Sequence, residues 1–163
     1  MLLGLSLSAF TTLHVAISLI AIVAGLIVMF GMLGPYHSGG LAGIFLLFTI
    51  LTSVTGFMFP FNGVTPGIVV GIISCVLLAI ACLALYGMKV SGIWRAIYAV
   101  TALLSLYLNV FVLVTQSFLK IPPLHEIAPG NPPAGPAFAV VQGVVLLFFI
   151  GMIIQVWRRY KPA

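Results

Sequence analysis

The chain has 163 residues, of which 63% are hydrophobic and only 4% charged. Soluble domains carry about 25% charged residues, so this composition excludes a water-soluble globular fold. Six Lys or Arg against one acidic residue give a formal charge of +5; the basic residues sit at segment ends, which signals topology and anionic-lipid contact and excludes nucleic-acid binding.

In a bilayer only helices and closed barrels satisfy their own backbone groups. The apolar stretches here are long and nearly unbroken, unlike the alternating strands of a barrel of about ten residues each. The expected fold is therefore an all-α integral membrane protein, one transmembrane domain over 1–163 built as a bundle of five transmembrane helices. The opening MLLGLSLSAF lacks the basic region of a secretory signal, so the first apolar run reads as a retained helix.

Span one is predicted over 9–33 and carries Thr11, His14, Ser18, Ala21 and Gly25 at helical spacing, hence on one face. Gly34-Pro35 and Gly39-Gly40 break the chain before span two, 41–59, with Thr49, Thr52, Ser53 and Gly56. A re-entrant 41–59 would instead leave four spans. After the Pro60–Pro66 separator comes span three, 67–86, whose Gly67, Gly71, Cys75 and Ala79 recur every four residues. Such a ridge of small residues permits close helix approach. Cys75 and Cys82 are seven residues apart, about 10 Å along a helix and beyond disulfide reach. The Lys89–Gly92 turn leads into span four, 94–119, with a polar stripe of Tyr98, Thr101, Ser105, Asn109 and Gln116 that Val112 completes. The segment 121–136 holds six of the ten prolines and is expected to be a stiff, extended loop. Span five follows over 137–157.

Orientation follows from the basic residues. Arg158, Arg159 and Lys161 follow span five, and Lys89 and Arg95 flank the turn between spans three and four. Two helices separate these places, so they share one side, the cytoplasm. That puts the N-terminus outside and the C-terminus inside, with Lys120 as an exception on the outer side. The outer face then carries the N-terminal turn, the 59–66 connection and the Pro-rich loop, and a binding site is expected there.

Polar faces of spans one, two and four are expected to point inward, because polar groups facing lipid are costly. Together they outline a pocket or pathway lined by Thr11, His14, Ser18, Thr52, Tyr98, Thr101, Ser105, Asn109 and Gln116, or else interhelical hydrogen bonding. Lys120, His125 and Glu126 form a small charged group at the outer rim, and Glu126 is the sole carboxylate side chain. His14 lies within a span, His125 in the outer loop and His37 in the inner turn. His14 and His125 converging would supply two ligands to a haem iron or another metal.

No Asp, Glu, Lys or Arg lies inside a span away from its ends, and no phosphate-binding loop, zinc-protease helix or carboxylate pair occurs. A self-contained pump or hydrolase does not fit. The expected function is non-enzymatic, in the inner or plasma membrane of a cell. It is the binding of an apolar or amphipathic molecule, such as a lipid or quinone, or of a partner membrane subunit, near the extracytoplasmic face. Alternatives are an oligomeric channel or facilitator for a small neutral solute, and a haem- or quinone-linked redox subunit using His14. Expected partners are membrane lipids and either further copies of the chain or a larger membrane complex.

Overall fold

The computed structural model describes residues 1–35 and 39–163, so His37 lies outside the described residues. The chain forms α1 (Leu7–Leu33), α2 (Gly39–Phe57), α3 (Pro66–Cys82) continued by a π-helical turn (Leu83–Gly87), α4 (Trp94–Lys120), the short α5 (Pro122–Ile127) and α6 (Pro136–Tyr160). Five helices, counting α3 with its π turn as one, are long and apolar enough to cross a membrane. α2 is unbroken through 19 residues.

Local chemistry sets the helix starts. The Ser6 hydroxyl accepts from the Ala9 N–H at 3.2 Å, and the Thr65 hydroxyl accepts from the Ile68 N–H at 3.3 Å. Each satisfies one of the donors that a first turn leaves unpaired. Pro66, Pro122 and Pro136 open α3, α5 and α6, where the missing N–H costs nothing and the fixed φ is already helical. The turn after α3 is strained: Lys89 and Val90 stand at φ of 50° and 49°, a region disfavoured for residues with a Cβ and most of all for a β-branched one.

α4 is the centre of the bundle and touches every other helix, while α1 lies beside α2 and α2 beside α3. Phe10, Met29, Phe45, Leu46, Leu103 and Leu106 are among the side chains withdrawn completely from the surface. Gly25 makes the central crossing close: a Cβ there would lie 2.6 Å from Leu106 Cδ1 and 2.8 Å from the Phe45 ring. α6 packs mainly on α4, where Gln142 Nε2 donates to the Phe111 carbonyl at 3.0 Å and to the Thr115 hydroxyl at 3.2 Å. It meets α1 at the chain's C-terminal end. There the Tyr160 hydroxyl donates to the Met32 carbonyl at 2.7 Å and Arg159 to the Leu33 carbonyl at 2.9 Å. The outward surface is apolar, with Val23, Phe30, Leu47, Val76, Val144 and Leu147 all exposed.

Two expectations are corrected. The 121–136 segment is not an extended loop throughout, because it opens with α5 and turns back on itself, burying Ala128 and Pro133. Pro122 and Pro123 occupy a helix's first turn, where proline is tolerated. The small-residue ridge of α3 is not a continuous packing face either. A Cβ on Gly71 would lie 2.8 Å from the Phe57 ring, but Cys75 and Ala79 point outward and are exposed. The inward residues of α3 are Ser74, Leu78 and Ala81.

Candidate functional site

The α1 face read from the sequence divides by depth. Ala21 and Gly25 pack in the core, whereas Thr11, His14 and Ser18 border a cavity of about 640 Å³. The far wall is the C-terminal half of α4, with Asn109, Val112, Gln116 and Lys120. α2 contributes Thr52, Ser53 and Gly56, and the α2–α3 connection contributes Phe59 and Phe61. α3 is also a wall, through Gly67, Gly71 and Ser74, so the cavity lies among four helices rather than the expected three. Exposed members of the lining gather on facing edges of α1 (Val15, Leu19) and α4 (Leu113, Gln116). Gly67 on α3 and Pro60, Phe61 and Lys120 at the bundle end are exposed members of the lining as well.

His14 is held in one orientation. Its Nδ1 lies 2.7 Å from the Thr55 hydroxyl oxygen, which also stands 2.7 Å from the Leu51 carbonyl and 3.2 Å from the Thr52 carbonyl. Thr55 thus links the imidazole of α1 to the backbone of α2, and Nε2 is the ring nitrogen that takes no part in this contact. Phe59 packs edge-on to the imidazole at 5.2 Å between centroids, and Phe10 packs on Phe59 at 5.0 Å. Cε1 faces Gly56, where a Cβ would stand 3.6 Å away.

Most hydroxyls of the site are already bonded to their own helix. Thr11 donates to Leu7, Ser18 to His14 and Thr52 to Phe48, each to a backbone carbonyl at 2.8 Å. Ser74 Oγ and Asn109 Nδ2 differ: both atoms are buried and neither has a hydrogen-bond partner. An unpaired buried polar group costs about 1–3 kcal/mol, and both residues belong to the cavity wall. The lining has one cation, Lys120, and no carboxylate. Its chemistry is that of an apolar slot with a few fixed hydrogen-bonding groups, which suits binding and orientation.

The predicted α4 stripe is buried at Tyr98, Thr101 and Ser105, half-buried at Asn109 and exposed at Gln116, and it serves three different places. Thr101 and Ser105 are buried in the packed middle and bond back to the Ile97 and Thr101 carbonyls at 2.8 and 3.0 Å. Tyr98 borders a second cavity, of about 300 Å³, at the other end of the bundle. Of the stripe's polar members only Asn109 and Gln116 reach the larger one. Phe45, Leu46, Leu103 and Leu106 fill the intervening layer. His125 and Glu126 lie on α5 outside this lining, and His125 Nδ1 instead faces the Phe118 carbonyl at 3.2 Å. His14 and His125 thus do not share the cavity, and no group of three or more His, Cys, Asp or Glu occurs among the described residues.

Thr55, Phe59 and Ser74 escaped the sequence reading. Ser74 had a signal, as the one hydroxyl in an otherwise apolar α3. Thr55 had none, because it sits off the Thr52–Gly56 line and gains its role only from α1. Comparison with known proteins finds no family model, no curated protein and no solved structure that matches the chain.

Proposed function

We propose that the chain is a multi-pass membrane protein that binds an apolar or amphipathic small molecule, of the lipid or quinone class, in the cavity among α1, α2, α3 and α4. Its apolar outward surface requires an apolar surrounding, which supports residence in the inner or plasma membrane. The distribution of Lys and Arg supports a cytoplasmic C-terminal tail and an outside N-terminus, an orientation in which the cavity belongs to the extracytoplasmic half. Exposed lining residues on α1 and α4, Val15, Leu19, Leu113 and Gln116, support entry of a membrane-dissolved ligand from the side of the bundle. The observation that carries the reading is this cavity of about 640 Å³, within the range of small-molecule pockets of about 300–1,000 Å³. His14, Ser74 and Asn109 stand in its wall with hydrogen-bonding capacity unused by the protein. A ligand carbonyl or hydroxyl would satisfy them. No step of bond making is part of this function.

The test is extraction of the protein from its membrane in mild detergent, followed by mass spectrometry of what travels with it. Gly67 lines the cavity with open space around it, the nearest atom to an added Cβ being Thr65 Oγ1 at 3.7 Å. Gly67→Phe should therefore obstruct part of the cavity without disturbing the bundle. A lipid-soluble molecule enriched over bulk lipid in the parent, and lost from Gly67→Phe, is the expected result. Equal lipid content in parent and variant, with both folded, would overturn the proposal.

A further inference from the structure

The smaller cavity has a different chemistry. It lies at the end of the bundle where α6 finishes, bounded by Ile27 and Val28 of α1, Ala42 of α2 and Leu85 of the π turn, with Arg95, Tyr98 and Tyr160 completing it. Its interior is aliphatic. The Arg95 guanidinium lies 4.3 Å over the Tyr160 ring, and Tyr160 is itself fixed by its bond to the Met32 carbonyl. The cation is thus held on an aromatic shelf beside an apolar slot. Tyr98 adds a buried hydroxyl without a partner.

Charge at this end is one-sided. Lys89, Arg95, Arg158, Arg159 and Lys161 are five of the six Lys and Arg residues, and the only acidic side chain, Glu126, is on α5 at the other end. Arg159 is occupied with the carbonyls of Leu33 and Gly34. No acidic side chain of the chain can neutralise Arg95. Both tryptophans, Trp94 and Trp157, also lie at this end, as side chains at the headgroup level of a bilayer do. A guanidinium at headgroup level above an aliphatic slot matches a phosphate joined to an acyl chain.

We propose that this cavity binds one acyl chain of an anionic phospholipid from the surrounding bilayer, with the lipid phosphate held by Arg95. The site is separate from the His14 cavity and uses none of its residues.

Native mass spectrometry of the full chain in mild detergent tests it, with phosphatidylglycerol and phosphatidylcholine of matched chains as probes. One phosphatidylglycerol should remain bound under activation that removes phosphatidylcholine. Arg95→Gln should weaken its retention at least tenfold. Arg158→Gln removes the same charge at the same end, outside the cavity, and should change retention less than twofold. Ala42→Phe fills the slot and should abolish the adduct with Arg95 intact; the Gly67→Phe variant of the other cavity should leave it unchanged. Equal losses in Arg95→Gln and Arg158→Gln would reduce the effect to diffuse surface charge and overturn the proposal. So would equal retention of the two lipids, or full displacement by glycerol 3-phosphate, which lacks the chain.

Discussion

The same substitution should have opposite signs at two glycines of this bundle. At Gly25 an added Cβ would lie 2.6 Å from Leu106 Cδ1 and 2.8 Å from two carbons of the Phe45 ring. Carbon contacts are optimal at about 3.5–4.0 Å, so the methyl is about 0.9 Å too close. Leu106 and Phe45 are 0% and 1% exposed, so one or both must shift within a buried layer to admit the methyl. Overpacking of this kind costs about 1–3 kcal/mol, against a gain of up to about 1 kcal/mol from replacing glycine in a helix. Gly25→Ala should therefore destabilise by about 1–2 kcal/mol. Gly143 on α6 has no atom within 4 Å of the same position, so Gly143→Ala keeps only the gain. Unfolding in mixed micelles with increasing SDS would measure both, with an expected separation of about 2–3 kcal/mol. Leu106→Ala should offset part of the Gly25→Ala cost, a coupling of about 1 kcal/mol between contacting residues. Two variants of equal stability would refute the close approach of α1, α2 and α4.

Other outcomes follow from single contacts. Thr55→Val should cost about 0.6 kcal/mol, and at most about 1.7, as for other interhelical hydrogen bonds in membranes; a cycle with His14→Phe should recover that coupling, and additivity would count against the bond. Lys89→Gly should stabilise by up to about 1 kcal/mol by relieving the positive φ, read as a rise in thermal midpoint. Asn109→Leu should leave stability nearly unchanged, since Nδ2 has no partner to lose, while lowering the yield of co-purified ligand; a large loss of stability would show a structural role instead. Cysteines placed singly at Ala134 and Lys161 in a chain lacking Cys75 and Cys82 should react with an impermeant maleimide from opposite sides of the membrane; labelling from one side would refute five crossings.

The long apolar runs made the five helices readable, because length and unbroken hydrophobicity need no tertiary context. Helix ends were readable within a few residues where Pro or Gly marks them, as at Pro66 and Pro136. The buried part of the α4 stripe, Tyr98, Thr101 and Ser105, was equally legible from its spacing of three and four. Depth was not. Thr101 and Asn109 are two turns apart on one face, yet one is packed and the other lines a cavity, because the neighbours that decide it come from α1, α2 and α3. α5 is hard to read from the sequence because Pro122-Pro123 suits a stiff extended segment as well as the first turn of a helix. The wall formed by α3 was hidden by its glycine ridge, whose spacing is genuine but whose lower members, Cys75 and Ala79, turn away from the bundle.

The bonds from Arg159 and Tyr160 to the last carbonyls of α1 join groups 126 and 128 residues apart. A ribosome makes the first helix long before the residues that cap it. Until α6 has emerged and docked, the end of α1 has only water or headgroups to bond with. The first and last helices can thus be clasped only once Arg159 and Tyr160 have been made, and a chain cut short before Arg159 would hold five apolar helices without that fastening.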